Sequence, residues 1–194
     1  MCKAHKETLC GTVGSKKFDG HCARCYTFLF PDKAVSKNYR IKERVVVDYI
    51  KHHFPDFTMI ANKQVPDGCS GRRPDIMFNF GSHIVVIEVD ENQHLTYECE
   101  QRRMLEIMQD AGTVPSVFIR FNPDSYKQED GTQVKSCWSL TSTGRATIHT
   151  KHKKQWTDRL STLKQTLEKY IEATPKEFTV EYLYFDHGFT TRTA

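Results

Sequence analysis

The sequence predicts an α/β domain, a mixed β-sheet flanked by helices, and three observations carry that prediction. Stretches with apolar residues at helical spacing are interleaved with short β-branched apolar runs. Two of those runs, DIMFNF and HIVVIEV, lie on either side of Gly81 and Ser82, which is a hairpin signal. Read along the chain, the order is helix, strands, helix, strand, helix, strand.

Each element has a local reason. Residues 1–33 stand apart, with four cysteines, three glycines and little apolar periodicity, and Pro31 and Asp32 close the segment. The α/β domain is then expected over residues 34–194. From Ser36, a good N-cap, the run KNYRIKERVVVDYIKHHF reads as an amphipathic helix: Ile41, Val45, Val46, Tyr49, Ile50 and Phe54 recur at helical spacing, and Pro55 ends it. FTMIANKQV reads as a short strand, and PDGCSGRR supplies turn residues before the hairpin. TYECEQRRMLEIMQDAG predicts a second helix, with Met104, Ile107, Met108 and Ala111 facing inward and Gly112 as its stop. VPSVFIRF is an apolar strand ended by Asn122, Pro123 and Asp124. Residues 125–150 are polar and irregular, an expected insertion or binding loop. Trp156, Leu160, Leu163, Leu167, Tyr170 and Ile171 mark a third long helix, and TVEYLYFD a terminal strand.

A chain of 194 residues with 38% hydrophobic and 27% charged residues suits one globular domain plus a small appendage. It has no run of 18 apolar residues, so no membrane span is expected. The start, MCKAHKETLC, has no apolar h-region. The expected setting is therefore reducing and intracellular, cytoplasm or nucleus, where seven cysteines serve as metal ligands or free thiols. A net charge of +4 gives only a modest pull toward a polyanion. The local basic runs, Arg72-Arg73, Arg102-Arg103 and Lys151-His152-Lys153-Lys154, say more.

The cysteine segment suggests a structural zinc. Cys2 and His5, and then Cys22 and Cys25, are two pairs at zinc-knuckle spacing, with sixteen residues between them. A loop-rich segment with almost no core needs such a staple. Cys10 and His21 compete as ligands, so four of Cys2, His5, Cys10, Cys22 and Cys25 form the expected set. A tail with free thiols is the plain alternative. Cys69, Cys99 and Cys137 are scattered and carry no such pattern.

The stretch RRPDIMFNFGSHIVVIEVDENQH holds the chemistry. Glu88 lies inside the apolar run IVVIEV, Asp90 at its exit, and Asp75 one hairpin away. Carboxylates are costly to bury unless something pairs with them. Residues 88 and 90 share a strand face because side chains alternate, and Asp75 approaches from the neighbouring strand. A hard Mg²⁺ takes oxygen ligands, usually one or two carboxylates, and activates a bound water for attack on phosphorus. The bland alternative is a hairpin with solvated acids on its outer face.

Here the residues resemble a known family. Pro74-Asp75, twelve residues, then Glu88-Val89-Asp90 looks like the core of the PD-(D/E)xK nuclease superfamily, with Asp90 where the usual lysine stands. IEVDENQH resembles the I-E-x-D-x-x-x-H pattern of the very-short-patch-repair (Vsr-like) and EDxHD homing endonuclease branch. The likeness runs on through the RRM helix and the RFNPD strand end, and from CARC onward the chain is similar to nuclease-like proteins of large DNA viruses. The resemblance implies a restriction-endonuclease-like core, a built-in zinc as in the Vsr-like relatives, and an acid on the first helix, for which Glu43 is the matching position. His94, four residues after Asp90, takes the place of the missing lysine as the group that accepts a proton or steadies the phosphate. Arg72, Arg73, Arg102, Arg103 and Arg120 are the candidate DNA contacts, Arg120 foremost because it ends an apolar strand.

The expected function is a Mg²⁺- or Mn²⁺-dependent endodeoxyribonuclease acting on double-stranded DNA, of homing or Vsr-like type, in the cell or in a virus-infected host. Its catalytic set is Glu43, Asp75, Glu88, Asp90 and His94, with Asp75, Glu88 and Asp90 as metal ligands. Two other readings stay open: a non-catalytic zinc-containing DNA-binding protein on a nuclease fold, and a zinc-stabilised interaction protein without a nucleic-acid role.

Overall fold

A computed structural model describes residue 3 and residues 14–22, 25–26, 29–30, 32–33, 41–94, 97–141, 146–175 and 178–189. They fall into two compact units, residues 1–41 with 139–147 and residues 42–138 with 148–194. The helices are α1 (Ile41–His53), α2 (Tyr97–Asp110) and α3 (Lys153–Glu172). The strands are β1 (Met59–Ala61), β2 (Ile76–Asn79), β3 (Ile84–Val89), β4 (Ser116–Phe121), β5 (Tyr126–Lys127), β6 (Gln133–Val134), β7 (Trp138–Leu140), β8 (Ala146–Ile148) and β9 (Thr179–Leu183).

The larger unit is a mixed sheet in the order β1-β2-β3-β4-β9. β1, β2 and β3 pair antiparallel, as the Gly81-Ser82 turn requires, whereas β3, β4 and β9 pair parallel. Parallel neighbours need a crossover, and α2 and α3 lie in those two connections. β3 and β4 are central, which is why both read as near-continuous apolar runs. Alternation sorts their side chains onto two faces. Ile76, Phe78, Val85, Ile87, Val117, Ile119 and Phe121 pack with Val46 and Ile50 of α1 and with Trp156, Leu160, Leu163, Leu167 and Tyr170 of α3. Met77, Ile84, Val86 and Phe118 point the other way, onto Met104 and Ile107 of α2 and Val65. Full burial of each such side chain stabilises by about 1.5–3 kcal/mol. The mixed α/β sheet flanked by helices is therefore as the periodicity predicts.

Three local expectations need correction or bounding. The strand read in FTMIANKQV is only three residues long, because Asn62 turns to φ 54° and gives its N–H to the Pro74 and Asp75 carbonyls. The described residues of 125–150 are more ordered than a polar insertion: β5 and β6 pair antiparallel around Gly131 at φ 82°, and β7 pairs β8. Strands of two or three residues are too short to show a period. The helix start expected at Ser36 lies outside the described residues.

In the smaller unit Phe18, His21, Tyr26 and Phe30 form a ring cluster, with centroids 4.9 Å apart for Tyr26 and Phe30. Cys22 and Cys25 are buried, and the Cys25 N–H donates to Cys22 Sγ at 3.4 Å. Cys2, His5 and Cys10 lie outside the described residues.

Candidate active site

The site grows from the register of the two central strands. Glu88 and Arg120 are direct partners across β3 and β4, on the face that α2 covers. Two charged side chains on otherwise apolar strands meet there, and α2 answers each of them. Its Arg103 reaches Glu88, with Nη2 2.9 Å from Oε1 and 3.1 Å from Oε2 and Nε 3.3 Å from Oε1. Its Glu100 accepts from Arg120 Nη2 at 2.8 Å. Residues 100, 103, 104 and 107 recur at helical spacing, so one stripe of α2 both fills the core and supplies the charges.

Asp75 stands one residue ahead of β2, where the antiparallel register brings it level with Glu88. Its Oδ2 accepts the Val89 N–H at 2.8 Å, which fixes the carboxylate at the strand end. Asp90 follows β3, its N–H donating to the Phe121 carbonyl at 2.9 Å. Both Asp90 oxygens are taken by Arg120, through Nε and through Nη2 at 2.6 Å. Asp90, expected at a solvent-open strand exit, is instead 4% exposed. Glu43 sits half-buried in the first turn of α1, and its charge bears on Asp75.

Burial and like charge work against ionisation here. Burial, then the charge of Glu43, pushes Asp75 up to about 6 despite the Val89 hydrogen bond and Arg103. Burial, then Asp75, pushes Glu88 up to about 8 against the pull of Arg103 and Arg120. Burial alone would lower Arg120, but the Asp90 hydrogen bond and the charges of Asp90, Glu100 and Glu88 outweigh it and hold that guanidinium protonated. Glu43 and Asp90 thus bear on Asp75, and Asp75 and Asp90 on Glu88, while Arg103 and Arg120 pull the other way.

A polar hub braces the loop beyond Asp90. Asp124, in the RFNPD turn, accepts Lys42 Nζ at 2.6 and 2.8 Å, the Asn92 N–H at 3.1 Å and the Ser136 hydroxyl at 3.1 Å. Its carbonyl accepts Arg159 Nη1 at 2.8 Å, and that buried guanidinium lies against the Tyr126 and Tyr184 rings. Asn92 and Gln93 both adopt positive φ, 57° and 59°, a conformation costing on the order of 1 kcal/mol or more at each residue. Hydrogen bonds offset that cost: Gln93 exchanges bonds with Asp186, donating at 2.9 Å and accepting at 3.0 Å. His94 ends this short turn, Glu91–His94, and its side chain lies outside the described part of the structure.

The arginines expected to contact DNA divide. Arg120 is 3% exposed and is an internal counter-ion, not a surface cation. Arg103 is engaged with Glu88 and with the Arg73 carbonyl, at 2.7 Å. Arg72 and Arg102 share Glu106, whose carboxyl their hydrogen bonds hold below its usual range. The Arg73 side chain is exposed. Glu100 was not legible as a site residue, although its place one helical turn before Arg103 was a usable signal.

Among the described residues no three His, Cys, Asp or Glu side chains converge in a metal-holding group. What the cluster offers is a pair: Asp75 and Glu88 are adjacent hard oxygen donors, and Mg²⁺ usually needs only one or two carboxylates. That donor set fits a hard divalent cation, with Asp90 committed to Arg120. No helix among the described residues is long and apolar enough to cross a membrane. No protein-family model matches the chain, and no curated protein matches it in sequence.

Proposed function

We propose that this chain is a metal-dependent endodeoxyribonuclease with a restriction-endonuclease-like core of the PD-(D/E)xK type, akin to the Vsr-like and EDxHD branch. One observation carries the reading: half-buried Asp75 and buried Glu88 lie level with each other on adjacent strands, and burial, with like charge beside each, raises them to about 6 and about 8. Such a pair is expensive to keep unless a cation uses it. Bound there, Mg²⁺ or Mn²⁺ would polarise a phosphoryl oxygen and supply a nucleophilic hydroxide near neutral pH. Asp75 and Glu88 would hold the ion. Asp90 fixes Arg120 beside Glu88, Glu43 adds negative potential from α1, and His94 would be the group that accepts a proton from the attacking water. Exposed Arg73, with Arg72 and Arg102 around their shared Glu106, would supply the cationic contacts to a duplex backbone, in the cell or in an infected host. Supercoiled plasmid should be cleaved with Mg²⁺ or Mn²⁺ and left intact with EDTA, and the rate should rise with pH across the imidazole range. A homogeneous preparation that cleaves no duplex, branched or mismatched DNA with either ion would overturn the assignment.

A second reading is a DNA-binding protein without catalysis. The fork of Arg103 on Glu88 favours it, since the pocket is partly neutralised without metal. Salt-sensitive duplex binding without cleavage would select that reading.

The smaller unit is proposed to carry a structural zinc on four of Cys2, His5, Cys10, Cys22 and Cys25. The Cys22 and Cys25 pair supports it: both are buried, and the Cys25 N–H donates to Cys22 Sγ at 3.4 Å. Metal analysis should find about one zinc per chain, and chelation should unfold this segment before the sheet. A zinc-free preparation whose segment stays folded would remove the zinc.

A further inference from the structure

We propose that Arg103 is an exchangeable lock on the carboxylate pair: its guanidinium leaves Glu88 when a divalent cation takes that carboxylate. The inference rests on the metal-dependent reading above. The two arginines of the cluster are held very differently. Arg120, with its side chain 4% exposed, is clasped between Asp90 and Glu100 and belongs to the strand layer. Arg103 comes in from α2 with its side chain 23% exposed, so one flank of it already meets water.

Its hold on Glu88 is the part that matters. Nη2 lies 2.9 and 3.1 Å from the two carboxylate oxygens and Nε 3.3 Å from one of them, so a single guanidinium covers both oxygens. A hard divalent cation needs those oxygens in direct contact, at about 2.0–2.1 Å for Mg²⁺. Fork and ion therefore exclude each other. Exchange places a double charge where a single one stood, beside Asp75, and the Coulomb term favours it. The second tie of Arg103, to the Arg73 carbonyl at 2.7 Å, is to a neutral acceptor and can be kept or given up without stranding a charge. Once released, the guanidinium stays at the rim of the pocket, where a phosphate oxygen pair matches its fork geometry. The metal-free pocket is closed by its own arginine, and filling it turns that arginine toward the DNA backbone.

The experiment follows arginine Nε–Hε signals of the intact chain by NMR during a Mg²⁺ titration, with Arg103→Lys identifying the signal. Calorimetry measures Mg²⁺ binding to the wild type and to Glu88→Gln. The expected result is one saturable binding event lost in Glu88→Gln, with the Arg103 signal shifting and exchanging faster with water at the same midpoint. The Arg120 signal should stay still. Saturable, Glu88-dependent binding with an unmoved Arg103 signal overturns the lock and leaves the metal-dependent reading standing. Absence of any Glu88-dependent binding overturns both.

Discussion

Asp75→Asn is expected to lower DNA cleavage by about 10³-fold or more, since a lost metal ligand removes several kcal/mol of transition-state stabilisation. Fold and duplex affinity should survive. The carboxylate makes one structural bond, from the Val89 N–H to Oδ2, and an asparagine carbonyl can accept the same bond. The substitution also removes a carboxyl whose pKa burial has raised to about 6, so the variant should be no less stable than the parent above that pH. Single-turnover cleavage, far-UV circular dichroism and salt-dependent binding, measured together, check this. Near-native turnover at saturating Mg²⁺ would take Asp75 out of the site. A variant that unfolds would show the Val89 bond to be the main role of Asp75.

Glu88→Gln is expected to stabilise the metal-free protein in proportion to pH while abolishing cleavage. The folded-state pKa of Glu88, about 8, stands above its ordinary 4.5, so the fold prefers the protonated carboxyl. The wild type keeps its full stability below about pH 4.5 and loses part of it as pH rises through 8. Asp75 adds a loss of the same sign between its ordinary 3.8 and about 6. Glutamine stays neutral throughout. The gap between variant and wild type should therefore be small at pH 4.5 and reach about 5 kcal/mol by pH 8.5, roughly 10–20 °C in Tm for a chain of this size. Removing the carboxylate frees Arg103 to hydrate, which limits the penalty on that side. Melting curves in EDTA from pH 4.5 to 8.5 test the slope, and a gap that closes with rising pH would contradict the burial argument. Added Mg²⁺ should raise the Tm of the wild type and leave that of the variant unchanged, because ligand binding stabilises only a fold that binds it.

The two experiments separate what keeps the pocket folded from what it is for. Asp75 and Glu88 weaken the fold when ionised, whereas Asp124 and Gln93 brace the loop beyond Asp90. Such an opposition is common where a site needs charge that the core does not.

Much of the sheet was legible from residue order alone. IVVIEV reads as a buried strand because β-branched side chains suit a strand covered on both faces, and the Gly81-Ser82 turn pairs it antiparallel with β2. Period-two alternation then placed Glu88 on one face of β3, and the hairpin placed Asp75 across from it. The long helix from Lys153 to Glu172 followed from the same kind of argument at period 3.6. Periodicity works here because it reports which face of an element is dry, and that is a local property.

Which charge meets which was settled by packing between segments distant along the chain. Asp90 and Arg120 are 30 residues apart, Glu88 and Arg103 15, Lys42 and Asp124 82, and Gln93 and Asp186 93. Helical and strand spacing is silent about partners on other elements, whatever their separation along the chain. Arg120 read as an outward cation because it ends an apolar strand, yet the parallel register of β3 and β4 sets it under Glu88, where α2 closes over it with Glu100. Local patterning sets the dry faces, the strand that carries Glu88 and the hairpin that brings Asp75 to it. The pairing of Glu88, Asp90 and Glu100 with two arginines came from packing, because a buried charge takes whatever counter-charge the neighbouring layer brings within reach.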